Sequence, residues 1–150
     1  MVFRFRKYLY LVKILNVNCE SKNLSSIRQF LDTAFNDQFS QQIKKDIILA
    51  SDEFIQNLVR YTFDLDDEKK LQIKVVIYSE LIEVKFHFNG KKFIKKYLDI
   101  KIDPSKGKTI EEKSFGGRGN YIINKLIDKI EILNDNDWVN CVLFKKFITS

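Results

Sequence analysis

The chain has 150 residues, of which 45% are hydrophobic and 31% charged, and its net charge is +6. This balance excludes a disordered polypeptide and predicts a single globular domain over residues 1–150. No apolar run approaches the roughly 20 residues that a membrane-spanning helix needs. The basic, aromatic N-terminus lacks the small-residue cleavage site of a secretory signal. We therefore expect a cytoplasmic protein that makes no contact with a membrane.

In chain order, the first part of the sequence predicts a strand, two helices and a β-hairpin. Residues 8–17 are apolar at nearly every position and predict a buried strand. Candidate N-caps at residues 21–26 precede a helical pattern of apolar residues. A longer helix is predicted from about Ser40 to Phe63, because its apolar stripe steps by three or four residues. Residues 71–77 and 82–88 alternate as the two strands of a hairpin.

The second part predicts a basic segment, one helix and a last strand. Seven lysines fall between Lys91 and Lys108 against two aspartates, with little hydrophobic periodicity. A helix is predicted from the glycine cluster at 116–119 to about Ile132, followed by a strand over residues 139–148. This order of elements predicts an α+β two-layer sandwich, in which a mixed, mostly antiparallel sheet carries helices on one face.

The glycine cluster is the first candidate binding element. Gly116, Gly117 and Gly119 are three of the five glycines in the chain, and they directly precede the predicted helix. A glycine turn at a helix start directs free N–H groups toward one point, which the helix dipole makes attractive to anions. The cluster therefore indicates a phosphate site, although a tight turn before a packed helix has the same composition.

Glu53 and Asn57 form the second candidate element, because they lie four residues apart on one side of the long helix. They flank the apolar stripe, where a ligand can lie between the helix and a loop. An amide oxygen and a carboxylate suit Mg²⁺, which takes its remaining ligands from water and phosphate. The carboxylate can also accept a proton from an attacking hydroxyl. The alternative is a pair of polar residues at a helix boundary.

Several segments of the chain resemble the motifs of one family. The segment Glu53–Tyr61 is similar to the N-box of the GHKL (Bergerat-fold) ATPases, and Gly116–Asp128 is similar to their second glycine box. Asp103-Pro104 and the C-terminal segment Asn140–Phe147 most resemble the bacterial anti-sigma-factor serine-protein kinases within that family. The resemblance covers nearly the whole chain in the right order, and it implies the Bergerat, or histidine-kinase-type, ATPase fold.

The resemblance implies a role for each motif. Asn57 would hold Mg²⁺ and Glu53 would be the general base, while residues 95–115 would form a lid over ATP. The implied ATP-binding residues are Asn57, Arg60, Gly90, Lys113, Gly116, Gly117, Arg118 and Gly119. The implied function is an anti-sigma-factor-like regulator. It would bind Mg·ATP, phosphorylate a serine or threonine of an anti-anti-sigma (STAS-type) partner, and alternately hold a sigma factor.

The first glycine box departs from the family pattern. Phe88 stands two residues before Gly90, where the family has an aspartate that bonds the adenine amino group, and Leu143 replaces a usual threonine. Phenylalanine cannot accept that hydrogen bond, and losing a buried polar partner costs about 1–3 kcal/mol. The sequence therefore leaves open whether the protein binds ATP and Mg²⁺. The alternative is a nucleotide-independent interaction module of the same fold.

Nucleic acid and a second copy of the chain are two further partners to consider. A nucleic-acid-binding domain could use the lysine-rich segment with Phe93 and Tyr97. We rank this function last, because thirteen phenylalanines in so apolar a chain indicate a core. The family resemblance also allows a homodimer, for which the sequence identifies no interface.

Overall fold

The computed structural model describes residues 9–35, 39–63, 68–89, 118–135 and 137–147. These residues form five strands, three α-helices and one 3₁₀ turn. In chain order the elements are β1 (Leu9–Asn18), the 3₁₀ turn (Ser21–Asn23), α1 (Leu24–Ala34), α2 (Gln41–Tyr61), β2 (Lys70–Tyr78), β3 (Leu81–Asn89), α3 (Arg118–Leu126), β4 (Lys129–Asp135) and β5 (Trp138–Lys146).

The five strands form one sheet in the order β1-β2-β3-β5-β4, and all four neighbouring pairs are antiparallel. The predicted hairpin is confirmed, since β2 pairs with β3 in a register that places Ile73 opposite Phe86. β5 then inserts between β3 and β4, so the last strand of the chain lies inside the sheet. The predicted α+β architecture is confirmed by this arrangement.

The helices cover one face of the sheet. Successive side chains of a strand point to opposite faces, and only one of the two sets packs in the main core. The inward set of β2 and β3 shares that core with residues from all three helices. Its members include Leu71, Ile73, Val75, Ile77, Ile82, Val84, Phe86 and Phe88 of the two strands, with Ile27 of α1, Phe54 and Leu58 of α2, and Ile123 of α3.

The long helix α2 begins and ends close to its predicted limits. Its N-cap is Ser40, whose Oγ accepts a hydrogen bond from the N–H of Ile43 at 3.2 Å. At the other end the N–H of Thr62 donates to the carbonyl of Leu58 at 3.1 Å. Within the described ranges, neither α2 nor any other helix is both long and apolar enough to cross a bilayer.

The helix predicted from the glycine cluster to about Ile132 is wrong beyond Leu126. There α3 ends, and Ile130 and Ile132 belong to β4, opposite Leu143 and Cys141 of β5. The turn between α3 and β4 is fixed by Asp128, whose carboxylate accepts the N–H of Lys146 at 2.7 Å. The alternation of apolar and charged residues from 129 to 132 has the period of a strand, and pairing with β5 satisfies its backbone.

Candidate functional site

The N-terminal end of α3 meets α2 at the predicted polar pair. Gly119 is buried there, and a Cβ added to it would lie 2.7 Å from Oε2 of Glu53 and 3.3 Å from Nδ2 of Asn57. The two polar side chains therefore touch the backbone of α3 one residue after its first residue. The structure brings together one residue of the glycine cluster and both residues of the α2 pair.

The observed position of the Glu53 carboxylate requires glycine at position 119. Carbon and oxygen atoms that are not bonded do not approach to 2.7 Å without repulsion, since contacts between heavy atoms are most favourable near 3.5–4.0 Å. Any side chain at this position would push the Glu53 carboxylate away from the helix. The absence of a Cβ at Gly119 thus leaves room for the side chains of Glu53 and Asn57 against the start of α3.

A second contact holds the other end of α3. The ammonium of Lys145, on β5, donates a hydrogen bond of 2.6 Å to the carbonyl of Leu126 and lies 3.6 Å from Oδ2 of Asp46 on α2. The Lys145 and Asp46 side chains are only 16% and 17% exposed. A cation is favourable at a helix C-terminus, where carbonyl groups lack partners. The position of α3 along α2 is therefore fixed at both ends.

The sequence analysis missed Lys145 and Asp46. They lie on different elements and have no local pattern that marks them as a pair, because the contact forms only when β5 enters the sheet beside β3. Their contact joins α2, α3 and β5 at the end of α3 that lies away from Gly119.

The electrostatic surroundings of Glu53 favour the protonated carboxyl group. Burial raises the pKa of Glu53, the charge of Asp52 raises it further, and Arg60 opposes these effects. Asp52 is itself held by Arg28, whose Nε lies 2.7 Å from its Oδ1. A carboxylate with a raised pKa binds protons more strongly than an exposed glutamate does, which is the property expected of a general base.

The other predicted site residues are only partly described by the structure. Arg60 is exposed in the last turn of α2, close enough for its charge to lower the pKa of Glu53. Arg118 is the first residue of α3, and its side chain lies outside the described part. The remaining positions lie outside the described residues, as does the lid predicted over 95–115: Gly90, Lys113, Gly116 and Gly117.

The wall of the core next to the polar pair is apolar and closed. Phe88 has no exposed surface, and its ring centroid lies 6.1 Å from that of Phe54, the residue that follows Glu53. The ring of Phe86 lies 4.6 Å from that of Phe54. Leu143 is also fully buried. Both positions at which the sequence departs from the family pattern are thus packed inside the core.

The two polar side chains beside Gly119 are compatible with a magnesium-bound phosphate. Asn57 contributes an amide oxygen and Glu53 a carboxylate, and both are hard oxygen ligands of the kind that Mg²⁺ takes. No cluster of three His, Cys, Asp or Glu side chains occurs in the part of the chain that the structure describes. A divalent ion bound by Glu53 and Asn57 would therefore have few protein ligands, and phosphate and water would complete its coordination.

Comparison with known proteins gives sequence relatives and a structural neighbour, while no protein-family model matches the chain. The Serine-protein kinase RsbW of Listeria monocytogenes serotype 4a (strain HCC23) is 29% identical over 108 residues, which cover 71% of this chain and 68% of that protein. The Serine-protein kinase RsbW of Bacillus mycoides (strain KBAB4) is 29% identical over 111 residues, covering 73% and 68%.

The structural neighbour is a crystal structure of the RsbU and RsbW domains of a Mycobacterium tuberculosis protein. It matches 90% of this chain with a TM-score of 0.63, at 11% sequence identity, and the match spans 32% of the larger chain. At this identity the likeness establishes the fold, which is the α+β sandwich of the Bergerat type. The names of the sequence relatives indicate a narrower class of protein than the fold does. The chain is similar to proteins named Serine-protein kinase RsbW, and this confirms the resemblance to the anti-sigma-factor serine-protein kinases that its motifs predicted.

Proposed function

We propose that this protein is an anti-sigma-factor-like regulator that binds Mg·ATP between α2 and α3 and phosphorylates a serine or threonine of an anti-anti-sigma (STAS-type) partner. The observation that carries this proposal is the close approach of Glu53 and Asn57 to Gly119. It supports the proposal because a carboxylate and an amide lie beside the N-terminus of a helix of nine residues, where they could act as proton acceptor and metal ligand.

The helix end supplies the phosphate-binding part of the site. The first turn of an α-helix has backbone N–H groups without partners inside the helix, and the helix dipole favours an anion there. Gly119 belongs to this turn, and its lack of a side chain lets Glu53 and Asn57 lie close to the backbone there. Asn57 would hold the magnesium ion with its amide oxygen. Arg60, Arg118, Lys113 and the glycines at 90, 116 and 117 remain predicted nucleotide contacts.

Glu53 would act on the partner protein. When bound, Mg·ATP supplies the γ-phosphoryl group and neutralises its charge. Glu53 then takes the proton of the partner's serine or threonine hydroxyl as the hydroxyl oxygen bonds to the γ-phosphorus. The bond from that phosphorus to the bridging oxygen breaks, ADP leaves, and Glu53 returns the proton to water. The raised pKa of Glu53 strengthens it as a proton acceptor.

The proposed partners follow from the family. A sigma factor would be held when the STAS-type partner is phosphorylated, and it would be released when that partner is not. The relatives carry the name Serine-protein kinase RsbW, which supports a protein substrate. We place this activity in the cytoplasm and in a single domain over residues 1–150. Pairing of two such chains is compatible with it.

The test is transfer of labelled phosphate. The purified protein is incubated with Mg·[γ-³²P]ATP and the STAS-type protein of the same bacterium. We expect the label on that protein, and we expect Glu53→Gln to abolish labelling while Glu80→Gln, at an exposed carboxylate in the β2–β3 turn, does not. Labelling that persists in Glu53→Gln would contradict the assigned role.

A second candidate function is supported by the closed apolar wall. With Phe88 and Leu143 fully buried, the fold can serve as a nucleotide-independent interaction module that captures a regulatory protein stoichiometrically. The two functions differ in the effect of Glu53→Ala on partner release. Release that is unchanged in this variant, while partner binding persists, would favour the interaction module.

A further inference from the structure

We infer that the free edge of β1 binds a second copy of this chain, and that the two β1 strands pair antiparallel about a two-fold axis at Ile14. The two five-stranded sheets would then join into one continuous sheet. The inference goes beyond the proposed function, because it assigns an interaction surface to an element that the candidate site does not use.

The backbone groups at the free edge of β1 are identified by its pairing with β2. Among the described residues, β2 is the only strand beside β1. The N–H of Cys19 donates to the carbonyl of Lys69, which continues the register of the two strands and marks this pair as hydrogen-bonded. Hydrogen-bonded pairs alternate along an antiparallel ladder. The N–H and C=O groups of Val12, Ile14 and Asn16 therefore point away from β2.

The side chains beside these backbone groups include exposed apolar ones. Val12 is 41% and Ile14 51% exposed. Both lie on the sheet face opposite the helices, since Leu11 and Leu15, which alternate with them, pack against the main core. A long apolar edge strand with unpaired backbone groups is a template for pairing with another strand. A second copy would supply that strand and would remove this apolar surface from water.

The opposite edge of the sheet is protected against such pairing. β4 carries Lys129, Glu131 and Asp135 among its seven residues, and Lys129 forms an ion pair of 2.6 Å with Glu131. In β1, Lys13 is the single charged residue among ten, and its ammonium donates to the carbonyl of Thr33 on the helix side at 3.4 Å. Charged side chains are a common protection of edge strands. The difference in charge therefore favours β1 as the edge that pairs.

Symmetry and charge select the position of the axis. In a pair of identical antiparallel strands, outward-pointing residues pair with outward-pointing residues, so the axis passes through a residue. An axis at Lys13 would place two lysines directly opposite each other, which is unfavourable for like charges. An axis at Ile14 pairs Ile14 with its own copy and Val12 with Asn16. At this axis the outward groups of all three residues find their partners among themselves, and Lys13 faces Leu15.

Sedimentation of the intact protein measures the association. We expect a reversible equilibrium between monomer and dimer over about 1–500 µM, because one pair of strands is a small interface. Ile14→Lys brings two like charges together at the axis and removes the apolar contact from both copies. It should weaken association by at least about tenfold. Leu133→Lys, at a 69% exposed position of β4, is the matched control and should dimerise as the wild type does.

Cross-linking locates the interface. Cys19 and Cys141 are buried, so a short bis-maleimide should react with a cysteine that is introduced at the surface. Ile14→Cys, on the axis, should give a covalent dimer. Leu133→Cys, on the opposite edge of the sheet, should give none. Thermal unfolding of each variant checks that the fold is retained.

Three results would overturn the inference. The first is a wild type that stays monomeric up to about 500 µM. The second is a dimer that Ile14→Lys leaves unchanged, and the third is a dimer that cross-links equally well through Leu133→Cys. If Ile14→Lys does not fold, the cross-linking comparison decides alone. Phosphoryl transfer is measured separately, so failure of this inference and failure of the proposed function are distinguishable.

Discussion

The carboxylate of Glu53 and the backbone of Gly119 are so close that a Cβ at position 119 would lie 2.7 Å from Oε2. One added methyl group is therefore enough to displace the proposed general base. The group that must move is the far end of a flexible side chain, so the displacement need not disturb the packing of α3 on α2. The proposed catalytic role of Glu53 and the stability of the fold can therefore be tested separately at this contact.

Gly119→Ala should be inactive but stable. Alanine has a higher helix propensity than glycine, by up to about 1 kcal/mol in a helix interior, and this helps to offset the cost of moving Glu53. We expect a melting temperature equal to or above that of the wild type, together with a loss of phosphoryl transfer of at least about tenfold, since misplaced catalytic groups cost factors of this order or more. Ser25→Ala, at an exposed position of α1, is the control and should change neither. Wild-type transfer by Gly119→Ala would show that the close contact has no catalytic role.

Glu53→Gln should stabilise the protein at neutral pH. Burial raises the pKa of Glu53 above its ordinary value of 4.5, so the folded protein binds this proton more tightly than the unfolded chain does. Stability then falls as pH rises from 4.5 to the raised pKa, and the loss is complete above that pKa. Glutamine carries no charge and avoids this loss.

Denaturant unfolding of both proteins across this range measures the effect. The advantage of Glu53→Gln should be absent at low pH and should grow as pH rises. Glu80→Gln, at an exposed carboxylate, should show no such trend. An advantage that is constant with pH, or that grows as pH falls, would contradict the raised pKa.

Lys145 and Asp46 should be coupled in stability. Lys145→Met leaves the Leu126 carbonyl and the Asp46 carboxylate without their cation in a largely buried setting, and should cost about 1–3 kcal/mol. The double variant Asp46→Asn/Lys145→Met should cost less than the sum of the single variants, because both remove the same contact. Lys22→Met, at a lysine whose side chain is 75% exposed, should cost less than about 1 kcal/mol. Strict additivity would mean that the two residues do not interact.

Phe88 should behave as a core residue. Truncating a fully buried phenylalanine removes its packing and leaves a cavity, so Phe88→Ala should lower the free energy of unfolding by about 3–5 kcal/mol. Phe63→Ala, at a half-buried position after α2, should cost clearly less. A cost below about 1 kcal/mol for Phe88→Ala would indicate an exposed ring and an open wall.

The elements predicted correctly from sequence are those determined by local pattern. α2 was predictable because a helical apolar stripe follows the cap residue Ser40, and the β2–β3 hairpin was predictable because its apolar residues alternate. The end of α3 was not predicted correctly, since Ile127 and Ile130 continue the helical spacing while Ile130 and Ile132 alternate as in a strand. Pairing of β4 with the distant β5 decides between the two.

In the candidate site, too, features set by local pattern were predictable and features set by distant contacts were not. Glu53, Asn57 and the glycine cluster were predicted as a site from motifs, and the structure places Gly119 against both polar residues. The substitution at Phe88 is visible in the sequence, but its complete burial is a property of the packed core. The Lys145 contact with α2 and α3 joins segments far apart in the chain, so no local sequence pattern predicts it.

The most direct test of the proposed site is a titration of the wild-type protein and Asn57→Ala with Mg·ATP, followed by calorimetry. Asn57 lies beside Gly119 and would hold the metal. Its truncation therefore removes an oxygen ligand and leaves the buried Phe88 unchanged. We expect saturable binding by the wild type and a loss of roughly tenfold or more in Asn57→Ala, the cost of about one charge-assisted contact. Absence of binding by the wild type at millimolar Mg·ATP, or equal binding by the two proteins, would contradict a nucleotide site between α2 and α3.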